Sequence, residues 1–456
     1  MTRTLEDAGG IVVAAGHPAA ARVVAAGLHG MQHRGLGGAC LAVGDGATIR
    51  GVHGEGLVDQ AIQPDALVAL PGGFAIGMVE AHGAGARLAT GHSSAGRAAV
   101  AVAGAITNAP ELWREALENG AVASAGSDAE LVLHLIARST QRTFVNRLVD
   151  AVWKVQGAYT LAALTPERLV VLRDPGGFRP LWLGQLGDAV VAASDDQAIE
   201  CLGGQLVRPL RPGEMLIVDA RGVQSIAPLP SRPTSVCTQE LLTLAPRAGR
   251  PFAEPSYTLR HRLGVQLADR APAPAADVVV AAPGASQDIA SGFAMAAQLR
   301  QAPAFVMQPR SPYLAPDERS GSGPSQLRVV SGAVVGQGVV LIAGSMTHGH
   351  DLRRAISDLM AAGARSVHVR CGAPPIRLAC PYGMRIRGAE ALAASRHPER
   401  EALASWLGAT SVAWLAPEEL GEVLGPGRCE ACLSNQLPLE VREAAPDDQL
   451  ALFRDA

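Results

Sequence analysis

The sequence predicts an α+β unit followed by an α/β unit with a parallel, doubly wound sheet. Three observations predict it. The chain has 456 residues, about three times a typical domain, so it holds more than one core. Its first half carries short apolar runs separated by glycine turns, with helical stretches set between groups of them. After the Pro-rich segment PLPSRPTS, strand-like and helix-like segments alternate, which is the pattern of a parallel sheet with crossover helices.

Taken in order, GIVVAAG, GACLAVG, GGFAIGMVE, AAVAVAGAI, AYTLAALT, RLVVLRD, DAVVAAS and GEMLIVD read as strands. Helices are expected over 18–31, 109–119, 128–139 and 144–155, and the unit ends near Ile226. Beyond the Pro-rich linker a helix is expected over 257–270, a buried strand at ADVVVAAP and a helix over 290–301. GVVLIAGS and ARSVHVRC continue as strands, with a helix over 351–362 between them. No fixed-period repeat is present.

Charge narrows the function classes. With 39 basic and 42 acidic residues the net charge is -3, without a long run of either sign, so no nucleic-acid partner is expected. MTRTLEDAGG has acids and glycines where a signal peptide needs an apolar stretch, and no later run of about 18 uncharged apolar residues appears. A soluble, cytoplasmic protein with no membrane partner is the expectation. Arg almost replaces Lys, which bears on coding composition and not on mechanism.

The odd count of 7 cysteines in a chain without a signal segment argues for thiols or metal ligands over a disulfide framework. Cys429 and Cys432 form a C-x-x-C in RCEACLSN, a spacing that lets both sulfurs turn toward one metal centre. Cys380 and Cys237 are the distant candidates for further ligands. From spacing alone a metal site and buried structural cysteines both remain open.

Particular residues carry a family resemblance along nearly the whole chain. GLHGMQHRG, ITNAPELWREALENG, SDAELVLHLIA, GAYTLAAL, RDPGGFRPLWLG, AASDDQAIE and LRPGEMLIVD are similar, in order, to the glutaminase domain of the glutamine phosphoribosylpyrophosphate amidotransferases (amidophosphoribosyltransferases). HVRCGAPPIRLACPYGM resembles part of that family's second domain, and RCEACLSNQLPLEV its cluster-binding tail. The resemblance implies an N-terminal nucleophile hydrolase-like four-layer sandwich over 1–230, a phosphoribosyltransferase-like parallel-sheet domain over 231–420, and a C-terminal cluster-binding tail over 421–456. It also implies that Cys237, Cys380, Cys429 and Cys432 hold a 4Fe-4S cluster, as in the iron-sulfur subgroup. Tying a linker, a strand end and the tail together, such a cluster is expected to stabilise the fold.

The resemblance also exposes departures. The family's glutaminase needs an N-terminal cysteine as nucleophile, with its own α-amine as base. In register with GHPAAA that position falls on Gly9, or on Ala8 after a one-residue slip, and Cys40 lies beyond QHRG. An asparagine donor to the oxyanion becomes Ala103, although Gly104, a backbone donor, remains. The arginine that holds the glutamine carboxylate corresponds to Glu80, a reversal of charge. Asp128, which would hold the substrate's amino group, is kept; its plainer reading is a helix N-cap.

In the second domain the two adjacent acids that hold the ribose hydroxyls correspond to Ala343 and Gly344 in VVLIAGSMTHGHD. The phosphate loop keeps Ser345, Thr347 and Gly349. Gly284 stands where the pyrophosphate loop has an aspartate, while Arg310 is retained. No residue is assigned a catalytic role; Gly104 and Asp128 are relicts of the glutamine site, and Ser345, Thr347 and Gly349 relicts of the phosphate loop. His348, His350 and Asp351 offer new acid-base or metal chemistry, or simply cap and solvate a helix start. Cys371, nine residues before Cys380, either approaches the cluster region or is a small apolar filler at a strand end.

Two functions follow. One is a pseudoenzyme, a noncatalytic or regulatory subunit of a purine-like or nucleoside-type pathway, as a homo-oligomer or with an active homologue or pathway enzyme. The alternative is a repurposed enzyme using the vacated pocket or the cluster.

Overall fold

The computed structural model describes residues 5–6, 9–80, 88–309, 325–386 and 391–439. The chain divides into two compact units, and the break at Ser235/Val236 lies at the end of PLPSRPTS. The first unit comprises Asp7–Ser235 with Pro381–Met384 and the residues from Leu437 onward. The second comprises Val236–Cys380 and Arg385–Gln436, and takes in the strand Leu5–Glu6, which pairs antiparallel with Arg385–Ile386.

In the first unit, two antiparallel sheets lie face to face. One has seven strands in the spatial order Gln205–Pro209, Trp182–Leu186, Ala189–Ala193, Gly10–Ala15, Phe74–Glu80, Gly38–Gly44 and Ile49–Glu55. The other has six, in the order Gly222–Ile226, Met215–Asp219, Arg168–Arg173, Gly157–Thr165, Gly96–Ile106 and Ala89–Ser93. Alternation along each strand sorts side chains between two faces. Ile11, Val13, Ile76 and Met78 point toward the other sheet and meet Ala99, Ala101, Leu164 and Val171 there. Val12, Ala14, Val79 and Leu41 point outward onto the helix Ala20–Gly30. On the opposite side, Val100, Val102, Leu161 and Val170 pack under the helices Asp128–Arg138 and Phe144–Lys154.

Three apolar layers between four structural layers are the result, which is the four-layer sandwich expected from the resemblance. Each fully buried Val, Leu or Ile contributes about 1.5–3 kcal/mol. The many alanines of the central layer contribute less and let the sheets approach closely.

Polar groups hold the turns. Arg173 is buried, and its guanidinium donates to the carbonyls of Arg179 at 2.7 Å, Leu210 at 2.7 Å and Gly177 at 2.8 Å. Asp174 beside it accepts from the Gly176 N–H at 2.9 Å and the Phe178 N–H at 3.0 Å. Burial pushes the Asp174 carboxyl up to about 6, against the pull of Arg173 and these N–H groups. Together they close RDPGGFRP into one satisfied turn.

The second unit is a five-stranded parallel sheet in the order Arg300–Gln301, Val278–Ala281, Gly338–Ala343, Ser366–Cys371 and Ser411–Trp414. Its Gly338–Ala343 strand is buried along its whole length, as helices on both faces require. Ser256–Arg270, Gln287–Ala297, His350–Ala361 and Arg400–Leu407 are among those helices. The helix expected over 290–301 begins earlier and ends earlier. Gln287 and Asp288 open it, Asp288 being buried beside Arg247 and Arg260, and Gln298 closes it in the left-handed conformation at φ 55°. No helix among the described residues is long and apolar enough to cross a membrane.

Candidate functional site

Three groups of residues carry the chemistry, each built within one unit. The first lies where the Gly10–Ala15 strand begins. Gly9 precedes it with φ +94°, a conformation that L side chains rarely adopt, and a Cβ there would collide with the Val79 carbonyl. Beside it the Ile11 N–H donates to Ser194 Oγ at 3.0 Å, and Thr160 Oγ1 lies 3.5 Å from that hydroxyl. Thr160 is the cross-strand partner of Ala103, which is buried in the central layer. Glu80 ends the neighbouring strand, its Oε1 4.0 Å from Cys40 Sγ. Burial first, and then the nearby Glu80 carboxylate, push the Cys40 thiol up to about 12, so it stays protonated. His33 and Arg34 of the QHRG segment meet Asp195 Oδ2 at 3.0 and 3.5 Å. Burial alone would raise the Asp195 carboxyl; the His33 hydrogen bond and the Arg34 guanidinium outweigh it and hold the group below its ordinary range.

Gly104 and Asp128 come to the same end of the Gly96–Ile106 strand. Gly104 has φ +119°, and a Cβ would strike the Ala158 carbonyl, so only glycine fits. Two residues on, the Ile106 N–H donates to Asp128 Oδ2 at 2.8 Å. The N-cap reading of Asp128 is therefore corrected. Ser127 is the cap, its Oγ accepting from the Glu130 N–H at 3.2 Å, and Asp128 is the first helical residue with its carboxylate turned onto the strand.

The second group surrounds a cavity of about 390 Å³ at the carboxyl ends of the parallel strands, the usual ligand position in such a sheet. Ser345, Thr347 and Gly349 line it, as do Ala343, Gly344, Gly284, His350 and Asp351. Gly344 sits so close to the chain that a Cβ would lie 2.8 Å from the Leu242 carbonyl. Gly349, left-handed at φ +75°, precedes the helix His350–Ala361, so that helix's N-terminal amides open near the loop. His348 is buried and stacks on His350 at 6.3 Å; His350 in turn meets the Trp406 ring at 5.7 Å. Arg310 lies outside the described residues.

The third group is the cysteines. Cys237 and Cys429 are direct register partners in a short parallel pair, Val236–Cys237 against Arg428–Cys429. Thr238 Oγ1 donates to the Cys429 carbonyl at 2.7 Å. The Arg377 and Leu378 N–H groups donate to the Cys432 carbonyl at 2.8 and 3.3 Å, which lays the segment leading to Cys380 along Cys432. Burial raises the Cys429 thiol to about 12, and Cys380 adds to the effect; Cys432 is raised by burial and then by Cys380 and Cys429. Three segments far apart in sequence are thus laced together by backbone hydrogen bonds around these thiols. Among the described residues no three His, Cys, Asp or Glu side chains lie close enough to hold a single metal ion. Cys371 packs in the apolar core at its strand end, the filler role. Spacing did not point to Thr238 or Gln239, both buried beside the cysteines; two polar residues following Cys237 were the available signal.

The chain thus combines a four-layer double-sheet sandwich with a parallel-sheet unit that carries a small-residue loop at a central strand end. Residues 88–201 match a glutamine amidotransferase domain. The chain is 33% identical to amidophosphoribosyltransferase 1 (chloroplastic) of Arabidopsis thaliana, over 95% of this chain and 79% of that protein. It is 31% identical to the amidophosphoribosyltransferase of Bacillus subtilis, over 93% of each. The solved glutamine phosphoribosylpyrophosphate amidotransferase of B. subtilis, complexed with ADP and GMP, superposes with a TM-score of 0.89 at 30% identity, over 95% of this chain and 98% of that one. This chain belongs to the amidophosphoribosyltransferase family.

Proposed function

We propose that this family member is an iron-sulfur pseudoenzyme, a noncatalytic or regulatory subunit that keeps the amidophosphoribosyltransferase fold without either reaction. The observation that supports the reading best is the tight backbone at two glycines that the resemblance aligns with functional side chains. At Gly9 a Cβ would run into the Val79 carbonyl, and at Gly344 it would press on the Leu242 carbonyl. A thiol at position 9 or an acid at position 344 would fit only if the facing backbone moved, which supports the reading. Ala8, the other register for the nucleophile, lies outside the described residues and offers no thiol in any case. Glu80 in place of a cationic clamp favours an amine over a carboxylate at that corner of the site.

The cysteines support a resident 4Fe-4S cluster. Their ligand form is the thiolate, and burial holds Cys429 and Cys432 protonated unless a cationic centre offsets the cost. Cys237, Cys380, Cys429 and Cys432 would hold it, four thiols being the donor set such a cluster takes, and Cys380 and Cys429 lie near enough to Cys432 to act on its thiol electrostatically. Such a cluster supplies electron storage or a covalent staple; here the residues favour the staple, because they join three distant segments. A repurposed enzyme remains the second reading on one observation, that His350 and Asp351 line the cavity beside Ser345 and Thr347.

Anaerobic native mass spectrometry of the tagged chain purified from its own cells tests this. A cluster-bearing complex with a second protein, an active homologue or a purine-pathway enzyme, is the expected result. A cluster-bearing homo-oligomer that turns over a substrate through His350 would favour the second reading.

A further inference from the structure

One buried side chain bridges a hydroxyl that lines the cavity and one of the four cysteines. Gln239 is 1% exposed and precedes the π-helical turn Glu240–Leu244, whose Leu242, Thr243 and Leu244 form a wall of the cavity. Its Nε2 donates toward Cys432 Sγ at 3.9 Å. Its Oε1 accepts from Thr243 Oγ1 at 2.9 Å and from the loop hydroxyl of Ser345 at 3.4 Å. With the sulfur a cluster-ligating thiolate, which can only accept, the amide N–H faces it and the oxygen faces the two hydroxyls, both of which can donate. A backbone path runs in parallel. The Ile376 N–H donates to the Met346 carbonyl at 2.7 Å, and the next residue, Arg377, donates to the Cys432 carbonyl.

We propose that Gln239 couples the occupancy of the cavity loop to the cysteine-held cluster, so that an oxyanion such as a phosphate or phosphate ester at Ser345 loosens the cluster. The inference rests on the cluster reading above. Chains of hydrogen bonds polarise one another, so the Ser345 hydroxyl donating to Oε1 strengthens the N–H that Gln239 offers to sulfur. An anion outcompetes a neutral amide oxygen for that hydroxyl, because the bond to it is charge-assisted. Gln239 is then left with Thr243 alone, and its bond to the Cys432 sulfur weakens. Hydrogen bonds to ligand sulfurs are among the protein's means of tuning a cluster. By linkage the effect is reciprocal: the cluster-loaded chain binds the anion more weakly than the cluster-free chain by the same factor.

The test uses the whole chain, prepared anaerobically and first assayed for iron and acid-labile sulfide. Loss of the visible cluster absorbance to an iron chelator is then followed under argon, in sodium phosphate and in sodium chloride of equal ionic strength. Phosphate is expected to speed the loss roughly twofold, the size one polarised bond in such a chain supplies. Gln239→Met should retain the cluster yet lose the phosphate dependence. Ser345→Ala, which stands on the loop and not among the cysteines, should lose it too and serves as the readout where Gln239→Met folds poorly. A wild-type rate indifferent to phosphate, or a phosphate effect that persists in either variant, overturns the coupling while leaving the cluster reading intact. Absence of iron and sulfide overturns both.

Discussion

Replacing Gly9 by cysteine restores the residue type that the family's glutaminase requires, and the structure specifies why this should fail. The backbone at Gly9 has φ +94°, where an L side chain is strained by about 1–3 kcal/mol. The new Cβ would also collide with the Val79 carbonyl, which belongs to a buried strand and moves only with its hydrogen-bonded neighbours. Strain and displacement together should cost about 2–4 kcal/mol. For a unit of this size each kcal/mol lowers the melting temperature by about 2–4 °C, so a fall of roughly 4–16 °C is expected for the first unit. Differential scanning fluorimetry of Gly9→Cys beside Gly9→Ala measures it, and the alanine variant should fall by nearly as much because the Cβ is the cause. Glutamine hydrolysis should stay at background in both. An unchanged melting temperature, or ammonia release by Gly9→Cys, would refute the reasoning.

Other expectations follow from the same geometry. Glu214 is pushed up by burial but pulled down further by Arg208, Ser225 and the Arg211 N–H, to about 2, so its stabilisation is present above the unfolded value near 4.5 and lost as pH falls through that window toward 2. Glu214→Gln should cost about 2 kcal/mol at pH 7, discounted for the half-exposed Arg208, and flatten the acid limb of a stability-against-pH curve. Asp128→Ala, by removing the acceptor of the Ile106 N–H, should cost about 1–2 kcal/mol in chemical denaturation, whereas Ser127→Ala should cost about 1 kcal/mol by loss of the helix cap. Serine at Cys429 or Cys432 should lower iron content and soluble yield together; normal yield and melting behaviour would defeat the stapling role.

Much of the fold was legible because buried strands announce themselves. GIVVAAG, GACLAVG and GVVLIAGS are apolar throughout, since both of their faces are covered. Ile49–Glu55, Ala89–Ser93, Gln205–Pro209 and Gly222–Ile226 escaped a reading by apolar runs because they lie at sheet edges, where their side chains are half-buried or exposed. The helix after ADVVVAAP was placed too late because its buried Asp288 looks like a loop residue until its arginine partners are known. Ser127 and Asp128 are both good capping residues, and only the position of Ile106 separates their roles.

The site was partly legible. The C-x-x-C spacing singled out Cys429 and Cys432 as a candidate pair, but the register that sets Cys237 beside Cys429 joins residues far apart in sequence and has no local signature. Glycines at 9 and 344 could be noted as substitutions, yet the carbonyls of Val79 and Leu242 that close over them emerge only from packing. Gln239 carried no signal at all beyond being polar in a segment that proves to be buried.

The central claim is that the chain retains the family's fold and has lost both of its reactions. Its most direct test is an anaerobic assay of the anaerobically purified chain beside the Bacillus subtilis relative, following ammonia release from glutamine and pyrophosphate release from phosphoribosyl pyrophosphate supplied with ammonia. The account predicts background rates from this chain in both assays while the relative turns over; turnover in either by this chain, abolished by substitution of a cavity residue such as Thr347, would contradict it.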